Sequence, residues 1–263
     1  MRRFWILLIA MFLLVSSALA DEVIVDNQYI TIALKSFEQS GDKIEMKLLL
    51  ENKTDKNAMF SIDSAVINGW VADPFWANEV AAGKKANDTI SWSRLSDDGV
   101  VSPASIVDIY FKVYDNDDWM AEPFYEDKVT LAPLGPDNMH IDPYDASGNQ
   151  ILFDANGLTM AVCGYSTTWD GGFAARVYLK NNTDKEIMFS VDNASVNGFM
   201  LDPFWASALK PGSQQFSDIT WYKSSLDENS ISQVDEIEMT IRAYDNNNWM
   251  ADDFYKGVVT LKP

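Results

Sequence analysis

The stretch Val107-Asp-Ile-Tyr-Phe-Lys-Val-Tyr114 alternates apolar and polar residues without interruption, and Ile237-Glu-Met-Thr-Ile-Arg-Ala-Tyr244 does the same near the end of the chain. Successive side chains of a β-strand point to opposite faces, so a period of two predicts a strand with one buried and one solvated face. Strands of this kind are typical of antiparallel sheets that pack on one side. The two stretches therefore predict an all-β fold.

These two strands belong to a sequence repeat that extends over most of the chain. Residues 51–92 match residues 180–221 without a gap, and 19 of the 42 positions are identical. Shorter matches on both sides extend each copy to about 115 residues, which is a normal size for one domain. We predict a signal peptide at residues 1–20, copy 1 at residues 21–133, a linker at residues 134–148 and copy 2 at residues 149–263.

Turn signals separate the predicted strands within each copy. Asn68-Gly69 and Asn197-Gly198 lie between apolar flanks, as in the type I′ turns of β-hairpins. We place seven or eight short strands in each copy, including strands at residues 70–76 and 119–131. This number and spacing predict two tandem immunoglobulin-like antiparallel β-sandwiches, with a jelly roll or a small barrel as the alternative fold.

Several motifs of copy 1 return in copy 2 and also suggest a family. They are Asn52-Lys-Thr-Asp-Lys56, the Asn-Gly turn, Asp73-Pro-Phe and the acidic segment from Tyr114 to Trp119. Together they resemble uncharacterised immunoglobulin-like domains of exported bacterial proteins and lipoproteins. The resemblance implies the β-sandwich fold and export, and it brings no catalytic residues. The chain differs from the lipoproteins because it has no lipidation cysteine near the predicted cleavage site.

The N-terminus has the pattern of an export signal. Arg2 and Arg3 precede an apolar run, and Ala18-Leu19-Ala20 fits a signal peptidase site. The apolar run is too short to cross about 30 Å of hydrocarbon as a helix. We therefore expect cleavage after Ala20, a secreted or extracytoplasmic protein, and no stable membrane anchor after cleavage.

Charge and composition exclude several function classes. The chain has 39 acidic and 20 basic residues, for a net charge of -19, and binding to nucleic acid needs a basic face instead. Cys163 is the only cysteine, so no internal disulfide can form. His140, the only histidine, falls in the linker and limits a Ser-His-Asp triad to one possible centre. The sequence therefore predicts neither a nucleic-acid binder nor a disulfide-stabilised module.

An acidic turn is the candidate metal site. Asp115-Asn-Asp-Asp118 returns as Asp245-Asn-Asn-Asn248, and clustered carboxylate and amide oxygens are the ligands that calcium prefers. Asp and Asn are also the residues that any tight turn favours. Calcium is the only cofactor considered, and its candidate ligands are Asp115, Asp117, Asp118, Asp245 and Asn247.

Aromatic side chains form the second candidate surface. Planar rings on a sandwich face or loop can stack against sugars and peptide side chains, although the same residues can instead pack the sandwich core. The candidate ligand surface comprises Trp76, Tyr110, Tyr114, Trp119, Trp205, Tyr244 and Trp249.

These features predict a non-enzymatic binding or structural module of the cell envelope or extracellular space. Its expected partner is an extracellular or envelope protein or a glycan. The alternative is a carbohydrate-binding accessory protein or a carbohydrate-active enzyme, which would use paired carboxylates. The acids that recur between the copies are Asp63, Asp73 and Asp115, which return as Asp192, Asp202 and Asp245.

Overall fold

A computed structural model describes residues 22–100 and 102–263. The predicted signal peptide lies outside these residues. No helix within the described ranges is long and apolar enough to cross a membrane. The helices are a 3-10 turn at Pro136–Asn138 and the helix α1 at Lys223–Glu228.

Each copy contributes nine strands in the same order. Copy 1 has β1 (Glu22–Asp26), β2 (Ile30–Ser40), β3 (Lys43–Asn52), β4 (Ala58–Ile67), β5 (Trp70–Val71), β6 (Ala77–Val80), β7 (Lys85–Ser93), β8 (Val107–Asp115) and β9 (Tyr125–Leu131). Copy 2 has β10 (Gln150–Ala155), β11 (Leu158–Thr167), β12 (Phe173–Asn181), β13 (Ile187–Val196), β14 (Phe199–Met200), β15 (Ala206–Leu209), β16 (Gln214–Trp221), β17 (Ile237–Asp245) and β18 (Tyr255–Leu261).

The strands form three sheets. The first has the order β1-β2-β3-β7, and the last has the order β14-β13-β17-β18 with β15 also paired to β13. The middle sheet runs β10-β11-β12-β16-β5-β4-β8-β9, with β6 paired to β4. Two hydrophobic cores lie between these layers, one in each copy. The predicted all-β antiparallel sandwich fold is confirmed.

The core follows the alternation that the sequence predicts. In β8, buried and half-buried residues alternate from Val107 to Asp115. The buried apolar side chains are those predicted. Burying such a side chain stabilises the fold by about 1.5–3 kcal/mol relative to leaving it in water. The matching inward residues of β3 are also fully buried: Ile44, Met46, Leu48 and Leu50.

The repeated Asn-x-Thr-Asp-Lys motif builds a loop around a buried amide. The Nδ2 of Asn52 donates to the carbonyl oxygens of Lys56 and Val80 at 2.7 and 2.8 Å. Its Oδ1 accepts from the backbone N–H and the hydroxyl of Thr54. Asn181 makes the equivalent bonds in copy 2. Because a buried amide is stable only when it is hydrogen-bonded, this motif fixes the start of β4 and β13.

The Asn-Gly turns have the backbone that was predicted. Asn68 and Gly69 have φ values of 49° and 85°, and Asn197 and Gly198 have 48° and 83°. Positive φ at both central residues defines a type I′ turn. These turns join β4 to β5 and β13 to β14.

Two predicted strands differ from the structure. The strand expected at residues 70–76 ends at Val71, and the next strand, β6, begins only at Ala77. Pro74 has no N–H for a ladder, and the Asp73 carboxylate instead accepts the N–H of Ala65 at 2.6 Å. The strand expected at residues 119–131 begins only at Tyr125. In both cases a loop with large apolar side chains replaces the predicted strand.

A single parallel bridge joins the two copies into one sheet. Trp70 of β5 pairs with Gln214 of β16, and the N–H of Gln214 donates to the carbonyl of Gly69 at 2.9 Å. The linker lies over this bridge. The carbonyl oxygen of Asp142 accepts from the indole Nε1 of Trp70 at 2.9 Å and from the side-chain amide of Gln214 at 2.6 Å. The linker therefore ties the two sandwiches together at a shared acceptor.

An aromatic cluster surrounds the bridge. Trp70 is only 2% exposed, and its ring lies 5.1 Å from that of Phe216 and 6.1 Å from that of Tyr178. Tyr144 of the linker contacts the rings of Trp70 and Phe216 edge to face and that of Tyr178 at a tilt. Its hydroxyl lies 3.7 Å from the sulfur of Cys163. The junction is thus a small apolar core that belongs to both copies.

We expect Trp70→Ala to destabilise the protein by about 3–5 kcal/mol, because it removes a buried indole and leaves the carbonyl of Asp142 short of one donor. Urea unfolding followed by circular dichroism measures the loss. Trp119→Ala, which truncates an exposed tryptophan, is the matched control and should change stability by no more than about 0.5 kcal/mol. Equal stability of the two variants would contradict a junction that depends on Trp70.

Candidate functional site

The acidic turn of copy 1 is built around a buried carboxylate. Asp115 is the last residue of β8 and is 3% exposed. Its Oδ2 lies 2.5 Å from the ammonium of Lys56, and its Oδ1 accepts the N–H of Asp117 at 3.0 Å. The hydrogen bond from Lys56 outweighs burial and lowers the pKa of Asp115 below its usual value. The carboxylate therefore stays ionised and holds the turn closed.

Copy 2 repeats this turn with a weaker ion pair. The Oδ1 of Asp245 accepts the N–H of Asn247 at 2.9 Å, and Lys185 lies 3.9 Å from its Oδ2. Asn116 and Asn246 anchor the two turns from the side. Their amides donate to Glu79 at 2.7 Å and to Glu186 at 3.1 Å respectively.

The predicted calcium ligands are not gathered around one point. Asp115 and Asp245 turn inward to lysines and to backbone N–H groups, whereas Asp117 and Asp118 are exposed. Within the described residues, no three His, Cys, Asp or Glu side chains are grouped so that they could hold a metal ion. The closest partners of the two buried acids are thus cations and amides of the protein itself.

A second tight turn follows the first and carries apolar residues. The N–H of Asp118 donates to the carbonyl of Asp115, and the N–H of Ala121 donates to the carbonyl of Asp118. The same two bonds recur in copy 2, from Asn248 and Ala251. We call residues 115–121 and 245–251 the double turns.

Each double turn exposes a tryptophan and a methionine side by side. Trp119 and Met120 are 73% and 79% exposed, and Trp249 and Met250 are 66% and 78% exposed. Trp119 and Trp249 belong to the predicted ligand surface, and the structure places both at loop tips. The methionines were not selected from the sequence, although the repeated Trp-Met-Ala segment was the signal that could have found them.

The other two tryptophans of the predicted ligand surface lie within the sandwiches. Trp205 is buried, and its Nε1 donates to the hydroxyl of Ser217 at 2.9 Å. Trp76 is half-buried against Phe111, and its Nε1 donates to Asp88 at 3.0 Å. Both rings therefore pack the fold instead of forming a stacking surface.

The three predicted tyrosines lie on the outward faces of β8 and β17 and are half-buried. Burial, and then the nearby Asp108, raises the pKa of Tyr110 to about 12. Lys210 of copy 2 lies over the Tyr110 ring at 4.9 Å. Tyr244 is covered in a similar way by Arg242, at 4.9 Å. Each of these two rings is thus covered in part by a cation.

Lys210 organises a cleft between the copies. Its ammonium lies 2.7 Å from Asp63 of copy 1 and 2.9 Å from Glu186 of copy 2. Burial opposes the charged form, but the hydrogen bonds that Lys210 donates to both acids, together with their negative charge, outweigh it and raise the pKa of Lys210. The cleft has a volume of about 400 Å³ and brings together three predicted site residues, Tyr110, Asp245 and Asn247.

A second cleft, of about 390 Å³, lies at the same junction and is mostly acidic. Asp73, Asp97, Asp98 and Asp218 surround Arg176, whose guanidinium lies 4.9 Å above the ring of Phe216. Burial raises the pKa of Asp73, although the N–H of Ala65 and the hydroxyl of Ser64 oppose it. Burial, together with the neighbouring Asp97, also raises the pKa of Asp98.

Several exposed apolar residues were not predicted as site residues. Trp169 lies at the tip of the β11–β12 hairpin, where Asp170 fixes the loop by accepting the N–H groups of Gly172 and Lys223. It has no counterpart in copy 1, so the repeat gave no signal for it. Phe75, Phe199, Met200 and Phe204 are further examples.

Comparison with known proteins supports no assignment of family or function. No known family model matches the sequence. No curated protein is detectably similar to it. Among solved structures, a red sea bream transglutaminase is 12% identical with a TM-score of 0.25, and the match covers 88% of this chain but only 31% of the transglutaminase.

Other structural matches are equally distant. The YadV chaperone is 11% identical with a TM-score of 0.24, over 82% of this chain and 92% of the chaperone. An exo-chitosanase of Amycolatopsis orientalis is 12% identical with a TM-score of 0.23, over 90% of this chain and 26% of the enzyme. Similarity at this level carries no argument about function. The fold defines the class of protein, an all-β sandwich protein, and the double turns are its most distinctive surface.

We expect Lys56→Gln to raise the pKa of Asp115 toward its usual value of 3.8, which carboxyl-carbon NMR titration measures. A carboxylate whose folded pKa is lowered stabilises the fold above its usual pKa, and this contribution disappears as the pH falls through the folded pKa. The stability difference between wild type and Lys56→Gln should therefore shrink in acid. Lys84→Gln removes the same charge from an exposed site and should leave the titration of Asp115 unchanged.

Proposed function

We propose that the protein is a secreted, non-enzymatic binding module of the cell envelope or extracellular space. Its partner is an envelope or extracellular protein or a glycan, which it contacts through the Trp-Met pairs of the two double turns. The resemblance to immunoglobulin-like domains of exported bacterial proteins supports this proposal. The single observation that carries it is the exposure of the same two apolar side chains in both copies.

Exposure of these side chains is unfavourable unless a partner covers them. Large apolar residues are normally buried, and tryptophan is enriched at the centres of protein interfaces. Methionine adapts its shape to a partner because its chain is unbranched and polarisable. A Trp-Met pair at a loop tip therefore offers one rigid ring and one adaptable neighbour to the same ligand.

The double turns also limit the entropy that binding would lose. Asp115 holds the first turn through Lys56 and the N–H of Asp117, and backbone hydrogen bonds close the second turn. A loop that is already fixed in its binding conformation loses less freedom on association. The buried acids of the predicted metal site therefore contribute to the proposed binding by holding the double turns in place.

The contacts at the junction hold the two double turns in one position relative to each other. Trp70, Asp142 and Gln214 hold the copies together, and Lys210 bridges them a second time. When two linked sites bind one surface, the second binding event becomes intramolecular and avidity exceeds the affinity of either site by about 10²–10⁴. We therefore favour a partner with repeating or extended structure.

A binding experiment with residues 21–263 tests the proposal. The probes are peptidoglycan sacculi, chitin, cellulose and immobilised envelope proteins, and binding is measured by sedimentation or biolayer interferometry. We expect the wild type to bind at least one probe and the paired change Trp119→Ala with Met120→Ala to weaken it at least about tenfold through lost avidity. The same change in both double turns should abolish binding.

The control keeps the double turns and removes another exposed tryptophan. Trp169→Ala should bind as tightly as the wild type because the β11–β12 hairpin lies outside both tips. Full binding by the variant altered in both double turns would refute the proposal. So would an equal loss in Trp169→Ala.

The acidic cleft favours a second candidate, a carbohydrate-active enzyme. A glycosidase needs one carboxylic acid whose raised pKa keeps it protonated and a second carboxylate nearby. Asp73 and Asp98 line the same cleft, and both have a raised pKa because of burial. Copy 2 does not repeat this environment at Asp202, which instead accepts the N–H of Phe204.

We expect no turnover of neutral oligosaccharides by the mature chain, measured by reducing-end release over a day. Turnover that Asp98→Asn abolishes and the exposed change Asp118→Asn preserves would establish the enzyme instead. In that case the Trp-Met tips would serve to hold the polysaccharide. Turnover that survives both changes would come from a contaminant or from another site.

A further inference from the structure

One edge of copy 2 exposes three large apolar side chains that lie outside the double turns. It consists of residues 198–209, which contain β14, the following loop and β15. Phe199, Met200 and Phe204 on this segment are 49%, 69% and 94% exposed. Both strands pair only with β13 among the described residues, so their outer edge is open. We call residues 198–209 the copy 2 edge.

In copy 1 the first strand of the corresponding edge is covered, whereas Phe75, the counterpart of Phe204, is exposed as well. Its β5 follows the same type I′ turn, and Trp70 is buried by β16, the linker and the aromatic cluster. The turns are fixed alike, since Asn68 and Asn197 each use their Oδ1 to accept two backbone N–H groups from the segment that precedes β8 or β17. The local structure is therefore the same, and the difference is that β5 is covered and β14 is open.

We propose that the copy 2 edge pairs with the same edge of a second chain, which makes the protein a two-fold symmetric dimer. This proposal is independent of the proposed function. A two-fold axis perpendicular to a sheet places an edge strand antiparallel to its own copy, so such an edge is complementary to itself. Open strand edges with exposed apolar side chains are typical pairing sites.

Charge favours a second copy at this edge. The chain has a net charge of -19, so two copies repel each other over most of their surfaces. Residues 198–209 carry one charged side chain, Asp202, whereas the corresponding residues 69–80 of copy 1 carry Asp73 and Glu79. β15 has the uncharged sequence Ala-Ser-Ala-Leu, and Pro203 lies in the loop between β14 and β15, away from both strands. Two like-charged chains can approach closely where neither carries charge.

A head-to-tail arrangement fits the surface less well. The face of copy 2 that receives β5 presents Tyr178, Gln214 and Phe216, and it is already occupied within the chain. The corresponding positions of copy 1 are Leu49, Lys85 and Asn87. A lysine and an asparagine do not complement Phe199 and Met200. The copy 2 edge therefore fits the copy 2 edge of a second chain better than it fits any face of copy 1.

Sedimentation equilibrium of residues 21–263 tests this proposal between about 1 and 100 μM. We expect a dimer whose dissociation constant falls within that range and decreases as added salt screens the repulsion between the chains. Phe199→Asp and Met200→Asp each place a charge at the two-fold contact and should raise the dissociation constant at least tenfold. Both residues are exposed, so the variants should fold normally, which near-ultraviolet circular dichroism verifies.

Two exposed aromatic residues elsewhere provide the matched controls. Trp169→Asp and Trp249→Asp also add a charge at an exposed tryptophan and should dimerise like the wild type. A monomer at every concentration and salt level would overturn the proposal. A dimer that Phe199→Asp and Met200→Asp leave intact, or that Trp169→Asp or Trp249→Asp weakens equally, would also overturn it.

Discussion

The backbone carbonyl of Asp142 accepts one hydrogen bond from each copy, and the arrangement of the two sandwiches depends on this acceptor. Trp70 reaches it from copy 1 and Gln214 from copy 2, while the N–H of Asp142 donates to the carbonyl of Asn68. An indole N–H and an amide buried at an interface need partners, so their bonds specify one orientation of the copies. The linker is thus part of the interface and not a flexible tether.

The contacts of the junction also fix the position of each double turn relative to the other. A tip on one copy has a fixed position relative to a tip on the other only while the junction holds, and Lys210 reinforces it from a second place. The ion pairs of Lys210 are partly shielded from water and are therefore screened less by salt than the exposed pairs elsewhere. In a chain with an excess of acids, a half-buried lysine between two carboxylates also removes repulsion where the copies meet.

The sequence predicts the fold well because the relevant signals are local. The alternation in β3 and β8 and the Asn-Gly turns are visible within a few residues. The repeat is visible when the sequence is compared with itself. The junction was not predictable in the same way, since the parallel bridge joins Trp70 to a residue in the other copy. The early end of the strand predicted at residues 70–76 was missed although Pro74 marks it. The acidic turn was located correctly as a turn, but the lysine that neutralises Asp115 lies in another loop and leaves no pattern in the turn itself.

Positions at which the copies differ contain information that the shared positions lack. Shared residues such as Asn52 and Asn181 maintain the sandwich, and the same side chain makes the same bonds in both places. By contrast, Trp70 becomes Phe199, and Leu49, Lys85 and Asn87 become Tyr178, Gln214 and Phe216. These changes all occur at the edge and face that meet in the junction. Where the two copies meet, the β5 edge of copy 1 and the β16 face of copy 2 are adapted to each other. The β14 edge of copy 2 has no third copy to cover it. The contact between the copies therefore explains both how the two sandwiches are joined and why copy 2 retains an open apolar edge.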